Sequence, residues 1–158
     1  MNFSMWKKAL LIIPSVTKSE WDALDIISRW LVSTRAAVLV MTFISAALAG
    51  LFAWRDGAFQ FLPWFVLTLG LILAHATNNL LNDFVDYFKG VDRNNYFRAQ
   101  YGPQPLEHKL LSPFRVMLYI FFTGLIASSC GLYLVLARGL PALYLLLAGS
   151  FFLIFYTF

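Results

Sequence analysis

The sequence predicts an all-α fold, a polytopic bundle of transmembrane helices, and three observations carry that prediction. Hydrophobic residues make up 60% of the chain and charged residues 13%, with a mean hydropathy of +0.71, whereas a soluble domain carries about 25% charge. Four apolar runs are each long enough to cross a bilayer, which takes about 20 residues as a helix. The basic residues collect on one side of those runs.

The segment 1–35 reads as a cytoplasmic N-terminal region. Its apolar run Ala9-Leu10-Leu11-Ile12-Ile13 stops at Pro14, too short for a signal-peptide core. Residues Ser19–Ser33 are expected to form one amphipathic helix in the membrane interface. Ser19 would be its N-cap, Glu20 and Asp22 would lie in its first turn, and Trp21 and Trp30 would sit at headgroup depth.

The spans follow in residues 36–158: about Ala36 to Trp54, Phe61 to Leu81, Phe114 to Ala137 and Leu140 to Phe158. None holds Asp, Glu, Lys or Arg except near its ends. Two helical hairpins are the simplest arrangement. Lys7, Lys8, Lys18, Arg29 and Arg35 precede the first span. Lys89, Arg93, Arg98, Lys109 and Arg115 lie between the second and third, and only Arg55 and Arg138 fall on the other side. Ten of the twelve basic residues therefore mark the cytoplasmic face. This pattern accounts for the net charge of +4 and excludes a nucleic-acid patch. It places the chain in the cell inner membrane as a multi-pass protein with its N-terminus in the cytoplasm. The lone Cys130 excludes an intrachain disulfide and reads as a small buried hydrophobe.

The chemistry concentrates in Asn78-Asn79-Leu80-Leu81-Asn82-Asp83-Phe84-Val85-Asp86-Tyr87-Phe88-Lys89-Gly90-Val91-Asp92, where the second span leaves the membrane. At 100° per residue, Asn79, Asp83 and Asp86 share one helical face, and Asn82 flanks it. Gly90 suits a left-handed helix stop, after which Asp92 can fold back toward the carboxylates. Three carboxylates and two amides make a hard-oxygen set of the kind that holds Mg²⁺ together with phosphate. Carboxylates this close repel one another unless a cation lies among them. On spacing alone the same residues also suit a solvated cytoplasmic helix end.

The pattern Asn79-Leu80-x-Asn82-Asp83-x-x-Asp86-x-x-x-Gly90-x-Asp92 resembles the first Asp-rich motif of the UbiA superfamily of intramembrane prenyltransferases. Its Gly90-x-Asp92 ending is most similar to the branch that prenylates 1,4-dihydroxy-2-naphthoate in menaquinone synthesis. The stretch from Arg98 to Ser112-Pro113 resembles the loop leading into the third helix of such proteins, so that 82–113 would be a cytoplasmic Asp-rich loop. The resemblance spans Arg29 to the end of the chain.

It implies that Asn79, Asp83, Asp86 and Asp92 hold Mg²⁺ ions bridging to an isoprenyl diphosphate. Arg35 and Arg98 are candidates to pair with that diphosphate. The second substrate would be an aromatic acceptor, enclosed with the isoprenoid tail by apolar helices and membrane lipid. Family members have about nine membrane helices and a second Asp-rich motif after the sixth. Four spans and one motif imply a fragment, or a chain that needs a partner, and one expected to be inactive alone. Other readings keep the fold with a different acceptor (a lipid glycerol phosphate, chlorophyllide, haem or homogentisate), or make the chain a non-catalytic membrane subunit.

The remaining polar residues have plainer expectations. Arg35 also suits a snorkelling interfacial charge. Arg98, Lys109 and His108 suit loop positions. His75, Thr77 and Asn78 should bond to neighbouring helices, and Gly124 with Ser128 should mark a close helix contact. Tyr87, Tyr96 and Tyr101 suit interfacial anchoring. The orientation is testable: alkaline phosphatase fused after Gly57 or Gly139 should be active outside the cytoplasm, and fused after Leu110 it should be inactive.

Overall fold

The structure, a computed structural model, describes residues 1–91 and 102–157. Among them the regular structure is helical: α1 (Phe3–Leu11), α2 (Lys18–Asp22), α3 (Ile26–Ser33), a 3-10 turn (Ala36–Val38), α4 (Leu39–Arg55), α5 (Phe61–Lys89), α6 (Pro113–Arg138) and α7 (Leu140–Thr157). Four helical stretches are long and apolar enough to cross a membrane: Ala36–Arg55, Phe61–Lys89, Pro113–Arg138 and Leu140–Thr157. Their surfaces show the side chains that lipid solvates and water does not, among them Phe43, Phe65, Phe122, Leu145 and Phe152.

The second span departs from the sequence expectation in length. At about 1.5 Å per residue its 29 residues reach roughly 44 Å, against about 30 Å of hydrocarbon. Its last turns therefore project from the apolar slab as one unbroken helix. Gly90 ends it as expected, in the left-handed region at φ 73°, where a Cβ would be strained.

The N-terminal segment corrects the expectation of a single helix over 19–33. Thr17, not Ser19, caps α2 through a reciprocal box with Glu20: the Thr17 hydroxyl accepts the Glu20 N–H, and the Glu20 carboxylate accepts the Thr17 N–H at 2.7 Å. The helix then breaks because Asp25 caps a new one, α3, by accepting the N–H groups of Ile27 (3.1 Å) and Ser28 (3.0 Å). Trp21 does not reach a headgroup layer. It is 1% exposed, in a core with Ala9, Leu24 and Val32 from its own side, Leu106, Leu110 and Leu111 from the α5–α6 connection and Val116 from α6. Trp30 is half-buried against a second cluster of Ala36, Leu39 and Ala76.

Buried polar rungs tie the spans together, each replacing an unsatisfied group that lipid could not hydrate. Thr42 Oγ1 and His75 Nδ1 are 2.7 Å apart between α4 and α5. Thr77 donates to the Thr123 hydroxyl at 2.9 Å between α5 and α6, and Thr157 donates to Asn78 Oδ1 at 2.9 Å between α7 and α5. These are the interhelical roles the sequence suggested for His75, Thr77 and Asn78. Gly124 lies against Thr77 as a close contact.

Cys130 is buried where α6 crosses α5, and a Cβ built on Gly70 would stand only 2.9 Å from the Cys130 Cβ. Gly70→Leu should therefore destabilise the bundle by about 1–3 kcal/mol through overpacking. The single thiol reports it: a maleimide dye should label Cys130 at a lower temperature in Gly70→Leu than in the parent chain.

Candidate functional site

Because α5 is longer than the hydrocarbon layer is thick, it reaches Asp83 and Asp86 beyond about 30 Å from Phe61 without a break in the helix. Asn79, Asp83 and Asp86 fall along one face of its last turns, as their spacing predicts. Their position is electrostatically deliberate. The carbonyl end of a helix carries partial negative charge, and two carboxylates placed there add to it, so the site attracts cations.

Each member of this face has a partner. The guanidinium of Arg35 meets Asp83, with Nη2 at 2.6 Å from Oδ1 and the two side chains 21% and 5% exposed. Asn79 donates its amide nitrogen to the Thr34 carbonyl at 2.9 Å. Asn82 donates to Asp86 Oδ2 at 3.0 Å, which fixes the flanking amide against the second carboxylate. Two residues of the face are thus engaged by Thr34 and Arg35, just before the first span.

How that junction is built explains the reach of Arg35. Thr34 closes α3 by donating its hydroxyl back to the Trp30 and Leu31 carbonyls. Arg35 then takes a left-handed conformation, φ 53° and ψ 54°, before the 3-10 turn begins. That conformation costs a non-glycine residue about 1–2 kcal/mol, and it turns the chain so that the side chain crosses to α5. Within this junction, the Ser33 hydroxyl and Arg35 Nε are buried without a hydrogen-bond partner among the described residues.

Of the residues singled out from sequence, the structure brings together Arg35, Asn79, Asp83 and Asp86. Asp92 and Arg98 lie outside the described residues, as do Tyr96 and Tyr101. The Ser33–Thr34 junction was not foreseen, because it acts through a backbone carbonyl and no side-chain pattern marks that. Among the described residues no group of three His, Cys, Asp or Glu side chains gathers. Two carboxylates and an amide oxygen nevertheless suit Mg²⁺, which commonly takes one or two protein carboxylates and completes its shell with water and phosphate. The Arg35 guanidinium on Asp83 shows that this face accepts positive charge.

On another side of α5, the helices α5, α6 and α7 line a half-open pocket of about 400 Å³. Leu67, Leu71, Ala74, Leu134, Leu145 and Leu153 contribute apolar wall. Thr77 in its wall faces α6, whereas Asn79 and Asp83 face the Thr34–Arg35 junction, so this pocket lies on a different side of α5 from the polar face.

Apolar spans and an acidic helix end define a polytopic membrane protein with a cation-seeking site. Residues 43–158 match the UbiA prenyltransferase family, and the chain belongs to it. The match begins later than the Arg29 expected from sequence, and it contains Asn79, Asp83 and Asp86 but not Arg35. No curated protein and no solved structure matches the chain.

Asp25 supports the junction from a distance. Burial pushes its pKa up. The N–H groups of Ser28 and Asn2, the Ser28 hydroxyl and the Trp6 indole outweigh that and hold the carboxyl well below the usual carboxylate range. A carboxyl depressed in the folded state contributes stability above its unfolded pKa, near about 4, and loses it as pH falls from there toward the folded value. Amide exchange in residues 2–11, corrected for intrinsic rates, should therefore rise as pH falls below about 4. In Asp25→Asn it should already be raised at pH 7 and lack that step.

Proposed function

We propose that this chain carries the first diphosphate-binding segment of a Mg²⁺-dependent prenyltransferase, which moves a prenyl group from an isoprenyl diphosphate to an aromatic quinone precursor. The favoured acceptor is 1,4-dihydroxy-2-naphthoate, on the resemblance of the Gly90-x-Asp92 ending. The observation that carries the reading is the placement of Asn79, Asp83 and Asp86 on one face at the end of α5, with Arg35 delivered to the same face.

In this reading the Asp83 and Asp86 carboxylates and the Asn79 amide oxygen would hold the metal, with Asp92 from the following segment. When bound, the metal supplies Lewis-acid neutralisation of the departing diphosphate. Arg35 adds a fixed donor fork suited to phosphate oxygens. Asn82 keeps Asp86 oriented through their 3.0 Å hydrogen bond. Apolar helix faces around the site would hold the isoprenoid tail and keep water from the allylic carbon. The C–O bond to diphosphate breaks as the acceptor ring forms the new C–C bond, and diphosphate leaves with the bonding electrons. The ring regains aromaticity by losing a proton, or CO2 if the attacked carbon bears the carboxyl group.

The experiment is transfer of a labelled prenyl group to dihydroxynaphthoate in membranes carrying the gene at full length. Transfer should vanish with EDTA and fall by at least about 10- to 100-fold in Asp83→Ala and in Asp86→Ala. Prenyl diphosphate binding without transfer to this acceptor would leave the site and redirect the search to another acceptor, such as a lipid glycerol phosphate. Absence of both transfer and binding would remove the enzyme reading in favour of a non-catalytic membrane subunit.

A further inference from the structure

Resting on the metal–diphosphate reading of α5, we propose that Arg35 is a resident counter-cation. It neutralises Asp83 while the site is empty and changes partner to the diphosphate when metal arrives. Four features of the structure converge on this role. Asp83 is 5% exposed, and a carboxylate taken out of water demands a positive partner. Arg35 meets that demand through a single Nη2 contact to Oδ1, not the two-pronged fork of which a guanidinium is capable. Its Nε is buried without a partner among the described residues, so the fork is not fully used. Its backbone sits in the left-handed region, a conformation that a non-glycine residue keeps only where its surroundings impose it.

Asn79 fits the same scheme. Facing a carbonyl, it must present its amide nitrogen to Thr34, and this leaves its oxygen as the ligand end of the side chain. The junction therefore holds both residues in place without consuming the amide oxygen that a metal would take. A divalent cation approaching Asp83 meets the Arg35 charge and is repelled by it. A diphosphate arriving with the metal gives the guanidinium a better partner than Asp83 (two or more phosphate oxygens in the geometry of its fork). Metal and diphosphate are then expected to bind together, each weakly alone, because one arginine couples them.

Mn²⁺ binding, followed by the loss of its free-ion electron paramagnetic resonance signal, tests this on the purified chain in lipid nanodiscs, with and without inorganic pyrophosphate. In the parent chain, pyrophosphate should tighten Mn²⁺ binding. In Arg35→Gln, binding of Mn²⁺ alone should be tighter than in the parent by about tenfold or more, in line with the roughly 1–3 pH units by which a neighbouring cation shifts a carboxylate. Most of the pyrophosphate enhancement should be lost.

Arg35→Gly should behave likewise, and it relieves the left-handed backbone, so it guards against a variant that fails to fold. Arg35→Lys keeps the charge and should stay near the parent value for Mn²⁺ alone. A merely structural arginine predicts the opposite sign, weaker Mn²⁺ binding when it is removed. Equal or weaker binding of Mn²⁺ alone in both Arg35→Gln and Arg35→Gly overturns the counter-cation role. If the parent chain still binds Mn²⁺ with pyrophosphate, the proposed function survives that result. No Mn²⁺ binding in any variant, with or without pyrophosphate, overturns both.

Discussion

Asp83 is a carboxylate kept from water at the end of a membrane helix, and the architecture around it follows from the need to neutralise it. Leaving one member of a buried ion pair alone costs about 3–5 kcal/mol, several times the cost of a single left-handed residue. That ratio explains why Arg35 adopts φ 53° where a non-glycine residue ordinarily would not. The requirement then propagates outward. Arg35 can reach α5 only if α3 ends at Thr34, and α3 begins where Asp25 caps it. Asp25 also receives the Asn2 N–H and the Trp6 indole, so α1 is anchored to the same helix. A chain of local caps thus ends at the acidic face.

The fold was legible in the sequence wherever a single helix or a single face decided the matter. The four spans follow from run length and lack of charge, and the end of α5 follows from Gly90. The interhelical hydrogen bonds of His75, Thr77 and Asn78 follow from the cost of a polar group in lipid. The candidate site was legible to the same degree, because Asn79, Asp83 and Asp86 share a face through spacing alone.

What could not be read were features set by competition or by distance. Ser19 and Thr17 are both competent caps, and only the reciprocal bond with Glu20 selects Thr17. Trp21 looks like an interfacial tryptophan until Leu106, Leu110 and Leu111 are known to cover it. The Arg35–Asp83 pair joins residues 48 positions apart through a backbone turn that no propensity for arginine would suggest.

The cap formed by the N-terminal segment and the α5–α6 connection carries a consequence for how the protein is made. Its core joins Ala9, Trp21 and Val32 to Leu106, Leu110, Leu111 and Val116. The first group leaves the ribosome 74 (Val32 to Leu106) to 107 (Ala9 to Val116) residues ahead of the second, and closing so long a loop requires both ends to be present. During that interval two spans enter the bilayer while the apolar face of the N-terminal segment waits uncovered. The order of synthesis therefore lays down the acidic helix end first and its cover afterwards. Arrest of translation shortly before Leu106 would leave a nascent chain whose cap is still open.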